Sequence, residues 1–334
     1  MDKKTIMVHP LISGNPYIRI LYDSMGEYDY EGFYSSRLGF LFNGARVLHI
    51  HWMDDFISGG VVKGFLRMIR LLVVALVIRL RGGLVIWTLH NSVSYTHNRR
   101  HRVYARWLGY LLQVFVNYII VHSDYQREHI KKRFRKKAVT VLHHNYLSDI
   151  ALHLNPDIQN DDDNSVLYFG MISEYKGVDR LVDAYNKSQR RRKLEVCGFC
   201  EPSYGECLIQ SDSSRSISFD FGWFSDEQLY QKIIGAGVIV LPHVSITNSG
   251  SLYLALSLRK TVIIRRSQLV EETLQKWPDL AQAIYTFDHD DQLRQLLDAV
   301  EVIQDASCFD SFIQDTSIDK VRQSYLELYA QGTG

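Results

Sequence analysis

Two groups of residues in this chain have the types and spacing for chemistry. The first lies in the second half: Gly170, Lys176 and Gly177, then His243, then Thr247-Asn248-Ser249-Gly250-Ser251. A glycine lets backbone approach a ligand closely, and a lysine supplies a point charge. Small polar residues at a helix start present N–H groups to an anion. Such a set suits a diphosphate, with His243 placed to hydrogen-bond sugar or phosphate. Lysine and helix dipoles can neutralise a leaving diphosphate, so neither a metal nor another cofactor is expected. The second group lies in the first half. Asp54, Asp55 and His90 are groups that can take a proton from an attacking hydroxyl, with the two aspartates favoured. Asn15, Tyr17, Asn91 and His97 are expected to line the same cleft. Each has a plainer reading: a surface lysine before a turn, an N-cap, a packed loop. His49 and His51 alternate on a strand and read as packed core.

The elements that must position these residues alternate. In the first half, strands are expected at 5–8, 46–51, 84–89, 118–122 and 138–142, with a helix from about Tyr17. Ser123 or Asp124 would cap the helix after the fourth strand. In the second half, strands are expected at 166–169, 194–198, 237–242 and 261–264, and helices at 178–187 and 252–258. Strands alternating with helices mean parallel sheets, and these bind ligands beyond the carboxyl ends of their strands. Residues 154–164 lack apolar periodicity and read as a linker. Helical spacing of Ile318, Val321, Tyr325 and Leu328 marks a last helix.

The stretch from about 170 to 264 resembles the donor domain of glycosyltransferases with the GT-B fold, closest to the family 4 type. That pattern has Gly-Arg-Leu-x-x-x-Lys-Gly after the domain's first strand, matched here by Gly170, Lys176 and Gly177 with Met171 at the arginine position. Gly198 matches a glycine ending the next strand, and Gly222 to Leu229 loosely match a Gly-x-Val/Phe-x-x-x-Glu-x-Leu pattern that puts Glu227 at its acidic position. Leu241-Pro242-His243 matches a Leu-Pro-Ser strand end. The family's two glutamates, eight residues apart, fall on Ile246 and Leu254, and Arg259 and Thr261 replace its Gly and Pro. The missing glutamates weaken a retaining mechanism and tilt the expectation toward inversion of anomeric configuration. Ile246 to Ser251, Val47-Leu48-His49-Ile50-His51-Trp52 and Thr88-Leu89-His90-Asn91 are similar to bacterial exopolysaccharide, capsule and O-antigen transferases.

Size and charge bound the rest. A length of 334 residues accommodates two α/β domains, and 46% hydrophobic content excludes a disordered chain. Residues 1–150 carry 21 Lys and Arg against 10 Asp and Glu; the remainder carries 17 against 27. A basic half faces an anionic surface. No aromatic-plus-basic nucleic-acid module is present, so a membrane is the expected surface and no nucleic acid is expected. Residues 61–81, VVKGFLRMIRLLVVALVIRLR, are apolar over most of a helical surface, with Lys63, Arg67 and Arg70 on one face. Such a helix can lie in a membrane interface or serve as a crossover with snorkelling arginines. Basic runs at 99–102 and 131–137 lie in the same half. The first 20 residues show no signal-peptide pattern, so a cytoplasmic address at the inner membrane face is expected. The four cysteines, including Cys197 and Cys200 in a C-x-x-C spacing, read as reduced thiols. Neither His143-His144 nor the His49/His51 pair has the spacing of a helical zinc pair, and no metal site is expected.

The fold expected is α/β, two Rossmann-like doubly wound parallel-sheet domains facing a cleft. Residues 1–153 would bind acceptor and membrane, and 165–316 the nucleotide-sugar donor. In proteins resembling this one, the last helix, here 317–334, crosses back to the first domain. The resemblance implies transfer of a sugar from a UDP- or GDP-linked donor to a lipid-linked saccharide. The rivals are a sugar-nucleotide epimerase of the same fold and a non-catalytic partner of another transferase.

Overall fold

A computed structural model describes residues 4–12, 14–33, 45–52, 61–90, 99–154, 165–189, 192–243 and 249–331. The chain divides into two units, 1–144 with 318–334, and 145–317.

The first unit holds a parallel sheet whose six described strands run in the order β2 (Tyr28–Gly32), β1 (Lys4–His9), β3 (Val47–Ile50), β4 (Leu84–Thr88), β5 (Tyr118–Val121) and β6 (Ala138–Thr140). The strand β3 is buried at all four positions and β4 at all five, because helices cover both faces. Helix Pro16–Asp23, started by proline and capped by Asn15, packs on one face with the last helix, Ile318–Ala330. Helix Val61–Leu80 packs on the other through Met68, Leu71, Val74, Ala75 and Ile78. Lys137 Nζ donates to the carbonyls of Gln113, Val114 and Val116 at the end of helix Arg99–Phe115. That cation completes a helix end, where orphan carbonyls and the dipole favour positive charge.

The second unit repeats the plan in the order β12 (Ile284–Phe287), β11 (Thr261–Arg265), β10 (Val238–Leu241), β7 (Val166–Phe169), β8 (Leu194–Gly198) and β9 (Ile217–Phe221), all parallel. The sheet grows outward in both directions from β7 and β10, so the strand order reverses between them. Ligands of such sheets sit at that switch point.

The boundary differs from the sequence expectation. Helix Leu147–His153 belongs to the second unit, not to a first domain ending at 153. Tyr230 donates to Asp149 at 2.5 Å, the Tyr146 N–H donates to Ser257 Oγ, and the Asn145 N–H to the Thr316 carbonyl. A fully buried carboxylate needs such a donor. The linker stretch beyond Leu154 lies outside the described residues.

Candidate functional site

The switch point of the second unit gathers the sequence-expected donor residues that are described. Gly170 follows β7 with φ +116°, and Gly198 ends β8 with φ +141°. A Cβ on Gly198 would lie 1.7 Å from the Gly170 carbonyl oxygen, so that strand end tolerates no side chain, while Gly170 needs glycine for its φ alone. Gly177, at φ +70°, sits against β10, where a Cβ would come within 2.5 Å of the Pro242 carbonyl oxygen. That contact brings the turn carrying Lys176 against the carboxyl end of β10. Ser251 closes the set, its Oγ 3.9 Å from the Cβ direction of Gly170. Gly170, Lys176, His243 and Ser251 thus share one edge.

The electrostatics fit an anion. Lys176 is half-buried, and desolvation pulls its ammonium down to about 8. His243 is 3% exposed; burial, with the Lys176 charge beside it, holds its imidazole down to about 3 and therefore neutral. Burial is the main cause of both shifts, and a bound diphosphate would favour the charged lysine.

Local roles divide the rest. Ser249 caps helix Gly250–Ser257, its Oγ accepting from the Leu252 N–H at 3.1 Å, so its oxygen has a local role at the helix start. Gly250 is there for Tyr146, whose hydroxyl a Cβ would meet at 2.9 Å. Glu227 starts helix Asp226–Gly235 beside a Ser225–Gln228 capping box, a local cause for that motif. Where the resembling family carries its second glutamate, Leu254 is 7% exposed in the core. Arg259 stands at the family's glycine position, with φ +54° held by bonds to the Ala306 carbonyl and Asp310. Thr247 and Asn248 lie outside the described residues. Sequence reading passed over Trp223 as a site residue. It is 79% exposed just past β9 and stacks on Phe199 just past β8, with ring centroids 4.9 Å apart. An aromatic following a strand end was the available signal.

The first unit places histidine at the carboxyl ends of β1, β3, β4, β5 and β6: His9, His51, His90, His122 and the pair His143 and His144, all buried. Parallel strands put these ends on one edge, so residues scattered over 130 positions form one cluster. His90 stacks on Trp52 at 4.3 Å and meets the Tyr17 ring edge-on at 4.9 Å. His49 and His51 were expected as packed core; they are buried, and both also hydrogen-bond Tyr22 at 2.7 Å. Two of the residues expected at the cleft have local partners within the first unit. Tyr17 is 4% exposed and bonds Tyr325 at 2.9 Å, tying down the last helix rather than lining an open surface. Asn15 Oδ1 accepts from the Tyr17 N–H and caps the helix. Asp54, Asp55, Asn91 and His97 lie outside the described residues.

Asp149, His153 and Asp226 come close enough to share an ion, but Asp149 already accepts from Tyr230 and pairs with His153 one helical turn on. Cys197 and Cys200 are free thiols, and burial pushes Cys197 up to about 12, far from a reactive thiolate.

No protein-family profile matches the chain. A GDP-mannose:glycolipid 4-beta-D-mannosyltransferase of Xanthomonas campestris pv. campestris is 27% identical over 259 residues, covering 76% of this chain and 70% of that one. Among solved structures, Anabaena Alr3699/HepE in complex with UDP and glucose superposes with a TM-score of 0.70 at 13% identity, over 98% of this chain and 100% of that one. Sucrose-phosphate synthase of Thermosynechococcus elongatus gives 0.70 at 12% identity, over 99% of each chain. The two parallel six-stranded sheets with their flanking helices are the two-domain α/β fold of GT-B glycosyltransferases.

Proposed function

We propose that this chain transfers a sugar from a nucleotide-diphospho sugar to a lipid-linked saccharide, as a family 4-like enzyme of surface-polysaccharide synthesis. It is a glycosyltransferase. The observation that carries the reading is the switch-point site, where a partly desolvated lysine, a neutral histidine and three obligatory glycines meet at strand ends. The donor's diphosphate lies against Lys176 and the start of helix Gly250–Ser257, and these neutralise the leaving group without a metal. Strand ends stand about 4.8 Å apart, so β9 ends about 10 Å from β7. That is the reach from a diphosphate to its base, and the exposed Trp223 face offers the base a stacking surface. The Xanthomonas relative's name supports GDP-mannose as donor, and its β-linked product supports inversion of an α-linked donor.

The acceptor is proposed to be lipid-borne for a second reason. Helix Val61–Leu80 is apolar on two opposite faces. One is the core face; the other exposes Val62, Phe65, Leu66, Ile69, Val73, Leu76 and Leu80. At 3.6 residues per turn these seven fall within an arc of about 100°. Lys63 and Arg70 flank the arc on one side and Arg79 on the other. An apolar stripe edged by cations is the form of a helix lying in an anionic membrane interface. No helix among the described residues is long and apolar enough to cross a membrane. Basic residues 131–136 on the same unit add to the attraction, and the protein works at the inner face of the plasma membrane.

Nucleoside diphosphate release from one sugar nucleotide, dependent on added lipid extract, is the expected result. Release without any acceptor would instead mark hydrolysis or epimerisation.

A further inference from the structure

The histidine cluster of the first unit contains a continuous chain of hydrogen bonds. His90 Nε2 is 3.1 Å from His51 Nδ1, and His51 Nε2 is 2.7 Å from the Tyr22 hydroxyl. That hydroxyl is 2.7 Å from His49 Nδ1, and His49 Nε2 is 2.7 Å from Thr88 Oγ1. The Tyr329 hydroxyl also reaches His49 Nδ1, at 2.8 Å. Resting on the transferase reading, we propose that His51, backed by Tyr22 and His49, is a positioning residue that fixes His90 in the Nε2–H tautomer and leaves its Nδ1 open to take the acceptor hydroxyl's proton.

The tautomers follow from counting protons. Burial holds the rings of His49, His51 and His90 below the ordinary histidine value, so at neutral pH each carries one N–H. A neutral imidazole has one donor and one acceptor nitrogen, and the partner of one decides the other. His49 Nδ1 faces two phenols, and its Nε2 faces an aliphatic hydroxyl. A phenol is the stronger donor and the weaker acceptor, because its ring draws on the oxygen lone pair. His49 Nδ1 therefore accepts and its Nε2–H donates to Thr88. Tyr22 and Tyr329 also hydrogen-bond each other, so one phenol proton goes to the single Nδ1 lone pair of His49 and the other lies between the two phenols. In either arrangement Tyr22 has no proton for His51, and its oxygen accepts from His51 Nε2–H. His51 Nδ1 is then an acceptor, and His90 Nε2–H donates to it. Among the described residues nothing hydrogen-bonds His90 Nδ1, and stacking on Trp52 fixes the ring plane.

The step balances. The acceptor oxygen bonds the anomeric carbon. The carbon–oxygen bond to the diphosphate breaks, its electron pair leaving with the diphosphate. The hydroxyl proton passes to His90 Nδ1, and His51 Nδ1 accepts from the Nε2–H of the imidazolium formed. The groups facing His90 are Tyr17 from helix Pro16–Asp23, His49, His51 and Trp52 from β3 and its end, and His122, His143 and His144 from the ends of β5 and β6.

Two measurements test this. Nitrogen-15 spectra of histidine-labelled protein at neutral pH, with His90 assigned by its loss in H90Q, are expected to show Nε2–H tautomers at His90 and His51. An Nδ1–H tautomer at His90 overturns the proposal, whether or not the chain transfers sugar. With a donor that wild type turns over, H51F is expected to lower kcat about 10- to 100-fold with the donor KM unchanged. H51N puts an amide oxygen near the place of Nδ1 and is expected to turn over at least tenfold faster than H51F. Wild-type kcat in H51F overturns the proposal, as does loss of turnover in D54N or D55N while H90Q stays active. If H51F loses its near-UV signal, the tautomer and the H51N rate decide. A wild type that turns over no donor would sink the transferase reading and leave the tautomer result standing.

Discussion

At the proposed donor site, Lys176 sets the direction of a pH dependence. Its apo value is about 8, and a bound diphosphate favours the charged form and raises it. Donor binding therefore takes up a proton above pH 8. Affinity is expected to be flat from pH 6.5 to about 8 and to fall as pH rises further, by calorimetry with a sugar nucleotide whose phosphates do not titrate there. Affinity that rises above pH 8 would remove Lys176 from the phosphates. K176A is expected to weaken binding about 10- to 100-fold, the worth of a hydrogen bond to a charged group at ~1.5–3 kcal/mol. Gly198 has no such latitude. With φ +141° and a carbonyl 1.7 Å from any Cβ, G198A is expected to cost more than about 3 kcal/mol in urea unfolding. A smaller loss would mean that the β7 and β8 ends can separate. Both residues were legible in the sequence, because glycine and lysine at a strand end have few other uses. The local role of Ser249 at its helix start was not, since an N-cap and a ligand contact share one residue type.

Helix Val61–Leu80 carries its own test. The double variant L66E/V73E places two charges in the exposed stripe, away from the core face. It is expected to lose sedimentation with anionic vesicles while keeping the wild-type melting temperature. Retained sedimentation would place the membrane contact elsewhere. Added salt is expected to weaken wild-type binding, at about 1 kcal/mol for each cation near the surface. The sequence showed this helix to be apolar nearly all round, but not that one apolar face is left open, because that depends on how much surface the sheet covers. Strands show the same limit. Apolar runs revealed the inner strands within a residue or two. Tyr28–Gly32, Ile217–Phe221 and Ile284–Phe287 escaped notice, and all three are sheet edges. Edge strands face water on one side, so YDYEG and ISFDF carry polar residues where an inner strand carries valine.

At the scale of the molecule, the halves differ in what they bury. The first unit closes its carboxyl edge with histidines and tyrosines, and its last helix joins that network through Tyr325 and Tyr329. In the sequence the histidines stand singly or in local pairs; only the parallel topology brings them to one edge. The consequence is acid sensitivity. Burial holds His49 down to about 3 and His122 to about 4, against an ordinary value of 6.5. The unfolded chain therefore binds more protons below pH 6.5. The stability these groups contribute is complete above that value and is lost as pH falls toward 4. Several groups act together, so urea unfolding followed by near-UV circular dichroism is expected to lose more than about 1.4 kcal/mol per pH unit between pH 6 and 4. A flat profile there would mean that the histidines are solvated.

The proposed activity moves sugar from a nucleotide donor to a lipid-borne acceptor. The direct measurement is nucleoside diphosphate release across a panel of GDP- and UDP-linked sugars, with and without membrane lipid extract, alongside thermal stabilisation by each donor. Release is expected from one donor, GDP-mannose first among them, only when extract is present. No release from any donor together with no stabilisation by any would contradict it.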